Sequence, residues 1–296
     1  MSASSSERGG VMIEFALVSL ILYLLLGATI TFGLMFQSSQ VAQDVARLAA
    51  RELALTPLPA GITFEAALTA TSDSIFDPNQ LVVDLDELDS EGLTLDQYFA
   101  TAPVVNRALR SVFIYDQVPG RRLFRFPGAL LNSPVTTEVN GGFTVGVPLV
   151  VARAGTGEET IRWVPVVEEV RADPDDPTTG SFSASSTSSD RGLVALRINI
   201  PYQSTAFSSF DGPTTWPPDP NWHTANQAND DGVVVQAGSA PQFGTLRDPG
   251  QVQTFEEGWV YEGRYGLGRQ EALAQKLRPY RRVLSGQALF RREVYL

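Results

Sequence analysis

The chain has 296 residues, 43% of them apolar and 19% charged, with a net charge of −11 at pH 7 and no cysteine. These figures allow a packed core and exclude a disulfide framework, a thiolate metal site and a cysteine nucleophile. One histidine, His223, removes chemistry built on paired imidazoles, and so acidic a surface repels phosphate, which argues against nucleic acid as a partner.

The first element in chain order is a long helix. No charged residue stands between Glu14 and Asp44, and Phe15 to Phe36 is almost wholly apolar. At about 1.5 Å per residue the charge-free run is roughly 44 Å long, more than the ~30 Å of bilayer hydrocarbon. It is also too long for a signal-peptide core and lacks a small-residue cleavage site, so the sequence predicts a retained span over about 15–36. The helix continues through Gln40–Leu55, where Val41, Val45, Leu48, Ala49 and Leu53 form an apolar stripe. That stripe packs either on the protein's own soluble part or on a partner. Pro57 and Pro59 end the helix.

Beyond it the pattern predicts an α+β unit with a mostly antiparallel sheet, as 25 glycines and 19 prolines suit many turns. Phe64–Ser74 reads as a short helix, and Leu81–Gly92 as a strand followed by an acidic turn. Leu95–Tyr115 reads as helix broken at Pro103 and resuming over Val104–Phe113. Strands are expected at Gly142–Ala152, Glu159–Val170 and Leu193–Tyr202, a further one at Val233–Ala237, and a closing one at Val283–Val294. A helix is expected around Arg269–Leu277. Gly180–Arg191 and Thr205–Asn229 read as loops.

Three groups offer chemistry. The acidic run Asp84, Asp86, Glu87, Asp89, Glu91 and the group Asp173, Asp175, Asp176 are either solvated acidic loops or oxygen donors for Ca²⁺, and neither has the spacing of an EF-hand loop. Trp216 and Trp222, with His223, either pack a loop or line a carbohydrate-binding surface. Arg278, Arg281, Arg282, Arg291 and Arg292 make the C-terminal end basic, ready to meet an acidic neighbour or the protein's own acidic surface. No Walker, nucleotide-binding, zinc-protease or serine-hydrolase motif occurs, and no other cofactor is implied. A hydrolase built on carboxylates alone stays open, without support from the spacing of the acids.

The start of the helix carries the most specific pattern. Arg8-Gly9-Gly10-Val11-Met12-Ile13-Glu14-Phe15 places a carboxylate at the edge of an apolar span. On physical grounds Glu14 either sits at the interface near the positive helix end or has an assembly role. The pattern resembles the processing site of type IV prepilins, in which a short basic leader ends in Gly and Glu is the fifth residue of the mature chain. The longer string from Glu7 to Leu53, with its Glu-Phe-Ala-Leu core, resembles a TadE-like (tight adherence) domain. Gly192–Gln203 (GLVALRINIPYQ) resembles the family's strand ending in Tyr.

The resemblance implies a non-enzymatic pseudopilin or minor pilin of a Tad-type adhesion or secretion system. It implies a cytoplasmic leader over 1–9, a pilin helix over 10–56 and an extracytoplasmic domain over 57–296. Cleavage after Gly9 by a prepilin peptidase in a bacterial inner membrane would leave Gly10 first. Glu14, followed by Phe15, would then neutralise a neighbouring subunit's N-terminus during assembly with other pilins and the inner-membrane Tad machinery. A length of 296 residues fits a minor or tip-like subunit. The alternative is a single-pass anchored ligand-binding or adhesion domain that is never processed.

Overall fold

The computed structural model describes residues 5–69, 75–118, 121–132, 143–152, 159–171, 182, 192–203, 243–248 and 281–292. Among the described residues one helix, α1 (Ser5–Leu55), comes first, and nine β-strands in three antiparallel sheets come after it, with four short α-helices between them. The α+β class expected from the sequence is the class observed.

α1 divides along its length. From Met12 to Phe36 nearly every large apolar side chain points to solvent, with Phe15 71% and Phe36 67% exposed. From Ala42 onward one face disappears into the protein: Ala42, Val45, Ala46, Ala49, Ala50, Leu53 and Ala54 are all buried. Of the expected stripe, Val45, Ala49 and Leu53 are buried and Val41 and Leu48 half-buried. Ala42, Ala46, Ala50 and Ala54 recur at every fourth position, so one side of the helix is thin enough to let backbone approach backbone. One hydroxyl in the bare half is satisfied within the helix: Thr29 Oγ1 donates to the Leu25 carbonyl at 2.8 Å.

The sheet that receives α1 is made of β7 (Val167–Glu169), β8 (Leu193–Gln203) and β9 (Arg281–Arg291), in that order. β8 and β9 pair along their full lengths, from Leu193 opposite Arg291 to Gln203 opposite Arg281. Val194, Leu196, Ile198, Ile200 and Tyr202 alternate along β8 as its buried face. β9 matches the expected closing strand, with its start moved from Val283 to Arg281.

A second sheet holds β4 (Ala129–Asn132), β5 (Phe143–Ala152) and β6 (Glu159–Val164). The sequence reads Glu159–Val170 as one strand, but the structure divides it between two sheets. Pro165 lacks the N–H that would continue the ladder. The turn there is held by Asn199, whose backbone N–H donates to the Val166 carbonyl and whose Nδ2 donates to that of Pro165.

The third sheet, β1 (Val82–Asp84), β3 (Arg121–Arg125) and β2 (Ile114–Val118), backs a group of helices. The expected acidic turn after β1 is a helix instead, α3 (Leu85–Ser90). The Asp84 carboxylate caps it, accepting from the N–H of Asp86 at 2.9 Å, so the acidic residues start a helix and do not merely decorate a loop. Before β1, α2 (Phe64–Thr69) forms the start of the predicted Phe64–Ser74 helix. After α3 come α4 (Leu95–Thr101), with a capping box between Thr94 and Gln97, and α5 (Val104–Leu109), broken apart at Pro103 as predicted. α5 ends at Leu109, short of the expected Phe113, and passes into a 3-10 turn, Arg110–Val112, because the chain turns there into the unpredicted β2–β3 hairpin. Phe99, Phe113, Phe124 and Phe126 pack edge to face beneath it.

Candidate functional site: the N-terminal helix and its clasp

The region with the most to do is α1 itself. Its bare half is long and apolar enough to cross a membrane, and almost none of it is buried in the protein. Gly9 and Gly10 lie within the first turns, so the helix runs through the expected processing step. Glu14 and Phe15 come next on exposed helix, away from the folded domain.

From Thr31 onward the helix is fixed to the domain by three contacts spread along its axis, and a fourth follows just past its end. The first falls within the apolar run, where the Tyr202 hydroxyl donates to the Thr31 carbonyl at 2.5 Å. About three turns further along, Gln43 reaches the backbone of β9. Its Nε2 donates to the Gln287 carbonyl at 2.6 Å, and its Oε1 accepts the Gln287 N–H at 3.3 Å. One amide side chain thus satisfies both backbone groups of a residue on the edge strand, as a neighbouring strand would.

Beside this contact, Gly286 lies directly under the helix. A Cβ there would collide with the Ala42 carbonyl group and the Gln43 nitrogen. Backbone meets backbone at that point, and only glycine fits. At the far end, just past α1, Arg292 is buried. Its Nη2 donates to the Leu58 carbonyl at 2.6 Å, and its guanidinium lies 5.1 Å from the ring centroid of Phe182. The sequence offered Arg292 as a surface cation, but the structure draws it inside.

The acidic run is divided among separate tasks. Asp84 caps α3, while Asp86 and Asp89 both bind Arg122 on β3, each at 2.6 Å. Glu91 forms the C-cap of α3. The Arg122 backbone N–H and guanidinium hold the Asp86 carboxyl below the ordinary carboxylate range, and the paired carboxylates raise Arg122 in turn. Among the described residues no three acidic, His or Cys side chains gather as a metal site. Trp216, Trp222, His223, Asp173, Asp175, Asp176 and Arg278 lie outside the described residues, as do the expected Val233–Ala237 strand and Arg269–Leu277 helix.

The sequence did not point to a cavity of about 650 Å³ between α2 and the start of β7. Phe64, Leu68, Phe76 and Phe243 give it an apolar lining, and Glu65, Glu169 and Arg171 a charged side. Arg171 bridges the two carboxylates, at 2.8 Å from Glu169 and 3.7 Å from Glu65.

A chain whose single N-terminal helix is a bare apolar arm at one end and the spine of a folded domain at the other has the build of a membrane-anchored protein. Residues 9–51, which are most of α1, match the family model described as TadE-like protein. That match agrees with the resemblance of the helix and its Glu-Phe-Ala-Leu core to a TadE-like domain, and it relates the chain to the pilins of Tad systems, a structural rather than an enzymatic class. The match ends inside α1 and covers none of the sheets. No curated protein and no solved structure matches the chain.

Proposed function

We propose that this chain is a pilin-like structural subunit, a pseudopilin or minor pilin, of a Tad-type adhesion or secretion pilus. In this reading a prepilin peptidase at the bacterial inner membrane cleaves after Gly9, in a helical stretch that two adjacent glycines weaken by about 1 kcal/mol each relative to alanine. The mature helix stays in the bilayer with the folded domain outside, and it then leaves lipid to pack against other subunits. Glu14 meets the new N-terminal ammonium of a neighbour there, an opposite-charge pair that favours one register in a low-dielectric bundle.

The observation that carries this is the division of α1. A soluble protein would bury Met12–Phe36, but here one continuous helix leaves nearly all of its large apolar side chains bare, while from Thr31 onward the helix is clasped to the domain at Thr31, Ala42 and Gln43. An arm so fixed transmits the position of its helix to the domain it carries. The TadE-like match of residues 9–51 supports the same reading.

The test is the N-terminal residue and mass of the protein purified from its native membrane, beside Gly9→Leu. A mature chain beginning at Gly10, absent in the variant, supports processing. A chain that keeps Arg8 beside an active prepilin peptidase defeats it. The cavity at α2 favours a second reading, a single-pass anchored domain that binds a small amphipathic ligand and is never processed.

A further inference from the structure

The apolar run is longer than a bilayer, but the folded domain shortens the part that can enter one. Tyr202 fixes the end of β8 to the helix at Thr31. Glu14, the last charge before the span, stands at the other side. Only the 16 residues Phe15–Ile30 lie between them, about 24 Å of helix. That is roughly 6 Å less than the ~30 Å of hydrocarbon, and a headgroup layer is about that thick. A span held this short brings the domain down against the bilayer surface, since burying Glu14 more deeply costs more than wetting a polar sheet edge.

The chemistry of that edge suits the place. Tyr202 is paired directly with Arg282. Residues directly opposite in an antiparallel pair point to the same face. Arg282 therefore flanks α1 on the side where Tyr202 reaches Thr31, and it is exposed. On α1 the apolar side chains at this height stay uncovered, with Phe32 58% and Leu34 44% exposed. A tyrosine and an arginine at one height match the composition of a membrane interface.

We propose that the end of the β7–β8–β9 sheet nearest Thr31, with Arg282, is a seat on the bilayer surface that takes anionic phospholipid headgroups. The proposal rests on the membrane-inserted reading of α1. It makes Ile30 the last residue in hydrocarbon and puts Phe32, Leu34 and Phe36 in the headgroup layer, whereas the apolar run by itself would carry hydrocarbon to Phe36.

The full chain has no cysteine, so single cysteines from Met12 to Gln40 can each carry one nitroxide without background. In nanodiscs of phosphatidylcholine and phosphatidylglycerol, the ratio of oxygen to nickel-chelate accessibility reads depth. A hydrocarbon boundary at Ile30–Thr31 is expected, and a boundary at Phe36 overturns the seat. No deep position anywhere defeats the membrane reading itself, which is a different result. Native mass spectrometry of the chain released from the same discs should show phosphatidylglycerol retained over phosphatidylcholine. Arg282→Gln should lower that preference about fivefold. An unchanged preference, or none in the parent chain, overturns the headgroup site even where the boundary lies at Ile30.

Discussion

At the scale of single residues, the acidic character of the chain is put to structural use. Asp86 is exposed yet receives the Arg122 backbone N–H at 2.9 Å and its Nε at 2.6 Å, and these bonds lower its pKa from 3.8. A depressed carboxylate contributes stability above its unfolded pKa and loses it as pH falls through the lower folded value. Melting temperature should therefore fall with acidification below about pH 4, with a shallower slope in Asp86→Asn. Tyr98 behaves in the opposite sense. Burial, and then the charges of Asp77, Glu87 and Glu91, push its hydroxyl up to about 12. Its protonated form is the stabilised one, so its contribution is complete below about pH 10 and is lost as pH rises from there toward 12. Tyr98→Phe should flatten alkaline unfolding in that window; an unchanged alkaline limb would show that other groups govern it.

At the scale of elements, α1 and β9 depend on each other through Gly286. Gly286→Ala forces a methyl into the backbone of Ala42, which cannot yield as a flexible side chain would, so helix and sheet must separate. A loss of roughly 1–3 kcal/mol, or more, is expected in denaturant unfolding. Gly61→Ala, where nothing lies within 4 Å, is the control and should change little. Much of this element structure was legible. Charge-free length pointed to α1, alternation to β8 and β9, and Pro103 to the break between α4 and α5. The β2–β3 hairpin is not legible in the sequence because Arg121-Arg122-Leu123-Phe124-Arg125 has no clean alternation: Arg125 is itself buried, bonded to Asp116 at 2.7 Å and to the Gly128 carbonyl at 2.6 Å. A buried arginine reads as surface until its partner, on another strand, is known.

At the scale of the whole molecule, the arm and the domain are one lever. If Glu14 pairs with a neighbouring subunit's N-terminus, Glu14→Leu should leave membrane insertion and unfolding unchanged while abolishing incorporation into sheared filaments. Filaments that still contain the variant at the parent level would remove Glu14 from assembly. Glu14→Gln tests the charge alone, since it keeps the size of the side chain.

The sequence alone determined the long apolar helix, its proline stop, the Gly-Glu-Phe pattern at its start and the β-rich character of the region beyond Pro59. Each of these is written in local order: period, charge-free length or a fixed spacing. Tertiary structure alone decided how much of the apolar run the folded domain leaves uncovered and which residues hold the arm. Tyr202 meets Thr31 across 171 residues of chain, and Gln43 meets Gln287 across 244. Ala42 and Gly286 are just as distant in sequence. No local pattern sets that meeting, because it depends on how β8 and β9 register against each other and on how closely a thin helix face can approach a glycine.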